Sequence, residues 1–313
     1  MRAVRPTMGK RSRALKRLIA LISALVLAAL PLCARAETGD ARRVYASTAP
    51  AFALTEGMLR GVEQFEARQL MQPQLDCVRL YELSDWDVVQ LSAAELCVVW
   101  GEGLESFAGT LTSAESGPAV ITLADAGEDF GALAEELEDY DYYGHFSGAD
   151  PHSYMSLARM DAALDALYES LALLYPELAE ALAANYARME EQLAEAQAAL
   201  SDIDAGDGAV ALLVEGLPYM AQELGLSWQY VYPREPASAV EGADWDELLE
   251  RLSASGAAAV ALERQAPAAL SDGLRGAGWE VRQVALPALM DAPTLEEYLS
   301  ALLICARTLA GGE

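Results

Sequence analysis

Between Ser153 and Leu200 apolar residues recur at spacings of three and four: Leu157, Met160, Leu164, Leu167, Leu171 and Leu174 form one stripe. Pro176 interrupts it, and PELAEALAANYARMEEQLAEAQAAL resumes the same period. This is the pattern of amphipathic helices that bury one face, broken where proline removes a backbone donor. The stripe is core packing rather than a cofactor box. On either side the pattern changes to short apolar runs alternating with amphipathic segments. RRVYAST (42–48), CVRLYEL (77–83), ELCVVWG (95–101) and AVITLAD (119–125) read as strands before the helical block, with the start of a helix in APAFALTEGML (49–59) and a helical DWDVVQLSA. After the polar, glycine-containing break SDIDAGDG (201–208), strands are expected in AVALLVEG (209–216), WQYVYP, AAAVALER (257–264) and EVRQVALP (280–287). Helices are expected over PYMAQELG, WDELLERLSASG and TLEEYLSALLICARTLA (294–310). Strands separated by helices require parallel sheets with crossover connections, so the fold class is α/β. Two such halves with long helices between them imply two lobes held by a stiff strut. The expected division is an N-terminal α/β lobe over 37–175, a linking helix over 176–203 and a C-terminal α/β lobe over 204–313.

The first 36 residues are set apart from this fold. MRAVRPTMGKRSRALKR is basic, LIALISALVLAALPL is apolar, and Ala34 and Ala36 occupy the small positions of a cleavage site before Glu37. These are the three parts of a secretory signal peptide, and the apolar run is shorter than the roughly 20 residues a spanning helix needs. The residues before Cys33, LPL, lack the small residue that precedes a lipidated cysteine. An exported, periplasmic or cell-surface protein is expected. The leader holds eight of the 21 basic residues and none of the 48 acids, leaving 13 arginines and a formal charge of −35 on the mature chain. Such a surface repels nucleic acid and anionic membrane and weakly attracts cations.

Several chemistries are excluded. Neither G-x-x-x-x-G-K-[ST] nor G-x-G-x-x-G occurs, and Gly101-Glu102-Gly103 is too short to count. No serine or cysteine sits in a nucleophile motif and no triad partner accompanies the histidines, which argues against an enzyme. Three cysteines remain after the leader, Cys77, Cys97 and Cys305. The odd count leaves open a Cys77–Cys97 bridge or burial as small hydrophobes.

Both histidines of the chain, His145 and His152, lie in DYYGHFSGADPHSYMSLARMDAAL (141–164). The phrase DPHSYMSL (150–157), followed by the helices and YPELAEALAANYARMEEQLAE, resembles the solute-binding proteins of zinc/manganese-type ABC transporters. YELSDWDVVQLSAAELCVVWGEGLE (81–105), VEGLPYMAQELGL (214–226) and VALERQAPAALSDGL (260–274) extend the resemblance over nearly the whole mature chain. It implies two Rossmann-like lobes, parallel sheets flanked by helices, joined by a long interlobe helix with a ligand cleft between the lobes. It also implies capture of a divalent zinc or manganese ion by a monomeric receptor. Delivery would be to an ABC permease in the membrane, with no nucleic acid involved.

The family's metal ligands, three histidines and a carboxylate or two of each, carry over unevenly. The first histidine precedes a Tyr-Glu pair by two residues; here Tyr81 and Glu82 are kept but the ligand position is Arg79. The second ligand is His152. For the third, Glu215-Gly216 resembles the manganese-type phrase, whereas a gapless alignment places Val214 there. The fourth is an aspartate at the end of the penultimate strand; Leu286 stands in its place, and Asp291 is the nearest substitute. His145 is a further candidate, in the acid- and tyrosine-rich segment 128–150 where zinc-type members carry a histidine-rich loop. Glu263 matches a glutamate that supports the site without binding metal. A guanidinium cannot ligate, and at about 4 Å in a low-dielectric cleft Arg79 would repel a cation by several kcal/mol. It would then swing out, or take the cation's place by pairing with a carboxylate such as Glu215. The alternatives are a diverged member holding an anion or organic ligand at Arg79, and an adhesion or scaffold module that keeps only the fold. Should His152 not be a ligand, its expected role is to cap the helix starting near Ser153.

Overall fold

The computed structural model describes residues 41–72, 78, 81–113, 117–124, 151–214, 216–231 and 243–312. Residues 42–313 cluster as one unit. Its first strand, β1 (Arg42–Ala46), runs into α1 (Ala49–Leu59), which starts where expected, with proline in its first turn. Ten of the eleven residues of α1 are buried, so it is a central core helix rather than a surface one.

The N-terminal sheet continues with β2 (Phe65–Gln69), β3 (Leu96–Val99) and β4 (Ala119–Thr122), all parallel, in the order β2-β1-β3-β4. Two short helices, α2 (Asp85–Ser92) and α3 (Ala108–Ser113), lie in the connections. The helical block forms α4 (Leu157–Leu174) and α5 (Ala179–Ser201), separated by a single 3-10 turn at Pro176–Leu178. The second parallel sheet holds β5 (Val210–Leu212), β6 (Trp228–Tyr230), β7 (Ala259–Glu263) and β8 (Glu280–Val284) in the order β6-β5-β7-β8. Its helices are α6 (Leu217–Glu223), α7 (Ala243–Ser255), α8 (Ala268–Gly276) and α9 (Leu295–Ala310). The two sheets therefore share one strand order, with a topological switch between β1 and β3 and another between β5 and β7.

One hydrophobic core joins the sheets. Val44, Ala46 and Leu54 belong to the same buried cluster as Leu212, Leu217, Tyr298 and Leu302. The closing helix α9 packs on β8 and also on α1 and α5, so it serves both halves of the molecule. A smaller cluster, including Val260, Leu262, Leu248, Leu252 and Leu274, covers the other face of the second sheet.

Two sequence expectations are corrected. The second strand is Phe65–Gln69 and not 77–83: residues 81–83 have no strand structure and Val78 lies in a 3-10 turn, while 73–77, 79 and 80 lie outside the described residues. FEARQ is an edge strand with only Phe65 and Ala67 facing the core, so it carries no apolar run to recognise. Helices α3 and α8 also went unread, being short and rich in small residues. Cys97 and Cys305 are free and buried; burial pushes each thiol up to about 12, so neither is a reactive thiolate at neutral pH. Cys77, the leader 1–36 and the acidic segment 128–150 lie outside the described residues. No described helix is long and apolar enough to cross a membrane.

Candidate functional site

In open parallel sheets, ligands bind beyond the carboxyl ends of the strands, where the order reverses. The carboxyl end of β3 leads into Trp100, Gly101, Glu102 and Gly103. The last three all have left-handed backbone, with φ of 105°, 54° and 82°. This tight reversal is the physical role of the Gly-Glu-Gly triplet, which sequence reading set aside. It returns the Glu102 carboxylate to accept a hydrogen bond from Ser153 Oγ at 2.6 Å, while the fully buried Trp100 donates its indole N–H to the same hydroxyl at 2.9 Å. Glu105, buried and desolvated, accepts from Ser47 Oγ and from the Trp100 and Gly101 amides at 2.8 and 3.0 Å. Burial raises its carboxyl above the ordinary value, against the hydrogen bonds that lower it.

The Trp100–Ser153–Glu102 chain fixes the segment that carries His152. The imidazole is 5% exposed and meets the Tyr154 ring edge-on at 5.6 Å, and Tyr154 in turn meets Trp100 at 5.8 Å. His152 precedes the 3-10 turn Ser153–Met155, but its side chain makes no capping hydrogen bond; the cap of α4 is Ser156, which accepts from the Arg159 amide. The imidazole is thus not a helix cap.

From the second sheet, β5 ends in Leu213 and Val214, both buried, before Gly216 opens α6 in the left-handed conformation, with φ of 82°. A Cβ on Gly216 would stand 2.9 Å from the Cβ of His152 and 3.4 Å from Met155 Cγ. The carboxyl end of β5 and the His152 segment are therefore in direct contact. Glu223, at the end of α6, secures the same junction: its carboxylate accepts from Ser156 Oγ and from the Leu157 and Ala158 amides, each of the latter at 2.9 Å. Three donors at the start of α4 are satisfied by a carboxylate from the other half of the molecule.

Of the other residues singled out from the sequence, Glu263 ends β7 and is 8% exposed. Asp291 is exposed, in a segment tied to the first sheet by Gln69, whose amide donates to the Met290 carbonyl at 2.9 Å and accepts from the Ala292 amide at 2.7 Å. Glu82 is exposed on the first sheet's side, and Leu286 is partly buried against the main core. Arg79, His145 and Glu215 lie outside the described residues. Among the described residues no group of three or more His, Cys, Asp or Glu side chains is placed to hold a metal ion. Sequence reading missed Glu102, Glu223 and Gln69, since nothing in their local sequence marks a partner 51, 66 or 221 positions away.

A family model described as zinc-uptake complex component A, periplasmic (ZnuA), matches residues 44–312. Among solved structures, manganese-bound FpvC from Pseudomonas aeruginosa aligns with a TM-score of 0.70 at 18% identity, over 86% of this chain and 97% of that one. The zinc(II)-bound ZnuA-like domain of Streptococcus pneumoniae AdcA gives 0.69 at 20%, over 87% and 98%. The periplasmic zinc-binding protein TroA from Treponema pallidum gives 0.67 at 18%, over 87% and 99%. A comparison with curated proteins gave no match. At these identities the solved structures speak for the two-lobed fold, whereas the family model spans nearly the whole described chain. The chain belongs to the ZnuA family, the periplasmic metal-binding solute-binding proteins of ABC transporters.

Proposed function

We propose that this protein captures a zinc or manganese ion in the cleft where β3, β5 and the His152 segment converge, and delivers it to a membrane ABC permease, acting as an exported monomer. The observation that carries this reading is the burial of His152 directly against Gly216 at the end of β5. The buried imidazole would supply one nitrogen donor, and Glu215, which precedes Gly216 in the sequence, is the candidate carboxylate; imidazole and carboxylate together suit both ions. His145 and Asp291 are the further candidate ligands, with Glu263, Glu82 and Arg79 as the candidate supporting or site-blocking residues. The cation is cargo: the protein need only bind it, shield it and release it.

A second reading, a family member whose cleft no longer holds metal, is supported by a specific observation. Leu286, at the position where the resemblance calls for an aspartate, packs against the core and offers no oxygen donor. In that reading Arg79 anchors an anion or organic ligand, or the protein serves as an adhesion or scaffold module. Thermal melting of residues 37–313, stripped with chelator and titrated with zinc and then manganese, separates the two. An ion binding only the folded state at a thousand times its Kd adds about 4 kcal/mol. A saturable rise with one metal that disappears in His152→Ala supports the metal reading. No shift with either metal removes it and leaves the second.

A further inference from the structure

The turn that follows β3 carries backbone strain at one residue, Glu102. The Leu104 amide donates to the Gly101 carbonyl at 2.9 Å, closing a four-residue turn whose central residues are Glu102 and Gly103. Both have positive φ, 54° and 82°, a geometry that glycine, asparagine and aspartate dominate because a Cβ crowds the backbone there. Glycines stand on either side of position 102, and a third would fit the turn without strain. A glutamate kept in this backbone points to a use for its side chain, since such strain persists where the surrounding structure over-determines it and gathers at ligand sites.

The contacts of that side chain lead to His152 by two routes. Glu102 Oε2 accepts the Ser153 hydroxyl proton at 2.6 Å, while Ser153 Oγ accepts from the Trp100 indole N–H at 2.9 Å. A hydroxyl has one proton to give, so an acceptor on one side and a donor on the other hold it in one orientation. The ionised acceptor makes the Glu102 bond the stronger of the two. Ser153 and Trp100 are fully buried. His152 precedes Ser153, and its carbonyl accepts from the Met155 amide at 3.0 Å, so the backbone that carries the imidazole is held from the next residue on. The second route is through rings. Trp100 meets Tyr154 at 5.8 Å with planes 89° apart, and Tyr154 meets His152 at 5.6 Å with planes 69° apart. Edge-to-face packing sets both the place and the plane of each ring. Gly216 confines the same imidazole from the other sheet. A ligand held in this way before the ion arrives loses little freedom when it binds.

We propose that Glu102 and Trp100 are positioning residues for His152: Glu102 acts through Ser153, and Trp100 through both Ser153 and Tyr154, presetting the imidazole for the cation. This rests on the reading of His152 as an ion ligand, so the first readout uses no ion. The chain has two histidines, and the imidazole resonances of chelator-treated residues 37–313 are assigned by their loss in His152→Ala. Glu102→Gly, which also removes the backbone strain, and Trp100→Phe should each move the His152 resonances toward those of a free histidine. Zinc and manganese affinity, measured well below the melting temperature, should fall at least tenfold, about 1.4 kcal/mol, in the same variants. Glu102→Gln, whose amide oxygen still accepts from Ser153, should restore most of both. His152 resonances unmoved in Glu102→Gly overturn the proposal, even where melting is lowered, because a purely structural role would do only that. A Glu102→Gln protein that loses as much as Glu102→Gly also overturns it, by making charge and not the bond responsible. If the wild type takes up neither ion, the metal reading falls and the resonances without ion still decide the positioning. If Trp100→Phe does not fold, the two Glu102 variants decide alone.

Discussion

Gly216 and His152 share one tightly fitted space: the Cβ that any other residue would place at position 216 comes within 2.9 Å of the His152 Cβ and 3.3 Å of its Cγ. The neighbour is the root of a buried side chain and not a flexible tip, so it cannot yield without moving the imidazole.

Gly216→Ala therefore carries two costs. The left-handed backbone, at φ of 82°, disfavours any Cβ by roughly 1–2 kcal/mol, and the contact with His152 adds displacement of the ring. The expected outcome is a loss of about 2–3 kcal/mol in denaturant unfolding, together with weakened metal-induced stabilisation in the same titration used for His152→Ala. A variant melting within a degree of wild type would show that the turn and the histidine are not coupled.

Glu223 links the halves differently, by giving α4 its N-terminal acceptor from α6. Removing the carboxylate leaves the Leu157 and Ala158 amides and the Ser156 hydroxyl without it. Glu223→Ala should destabilise by about 2 kcal/mol, and Glu223→Gln by less, since the amide oxygen still accepts. Equal stability of all three proteins by urea denaturation would assign the capping to water.

How much of this was legible in the sequence depends on whether a residue's role is local. The start of α1, the stripe of α4 and the break at Pro176 follow from neighbours a few positions apart, and the structure has all three, except that Leu174, at the end of the stripe, is 46% exposed and not core. His152 was legible because its phrase is local, Asp150 through Leu157. Strand β2 was not, because an edge strand shows its core only two side chains, and the more apolar 77–83 drew the assignment instead. The Gly101-Glu102-Gly103 reversal was visible as glycines but not as a turn that aims a carboxylate at Ser153. Gln69 and Glu223 were silent, as polar residues whose partners are chosen by tertiary packing across the chain.

Gln69 holds the Met290–Ala292 segment by one donated and one accepted bond, and Ala292 sits there in left-handed backbone with φ of 40°. The bonds to Gln69 offset that strain. Gln69→Ala should cost about 1–2 kcal/mol, whereas Ala292→Gly should relieve roughly 1 kcal/mol, because glycine accepts this backbone without penalty. Paired melting curves check both signs; a destabilised Ala292→Gly would contradict the strain argument.

Asp161 gives the pH dependence its sign. It lies on α4 one turn before Asp165, with Glu190 of α5 nearby, and burial first, then these two carboxylates, raise its carboxyl above the ordinary value. A raised carboxyl favours folding while it is protonated. Its contribution is fully present below the unfolded-state value and is lost as pH rises through the folded-state value. At neutral pH the charged Asp161 is therefore a liability. Because the side chain is largely solvated, the penalty is screened to about 0.5 kcal/mol. Asp161→Asn should thus melt slightly higher than wild type at pH 7, and the gap should close on acidification as the wild-type carboxyl takes up its proton. A gap that widens toward acid would reverse the sign and place Asp161 in a stabilising ion pair instead.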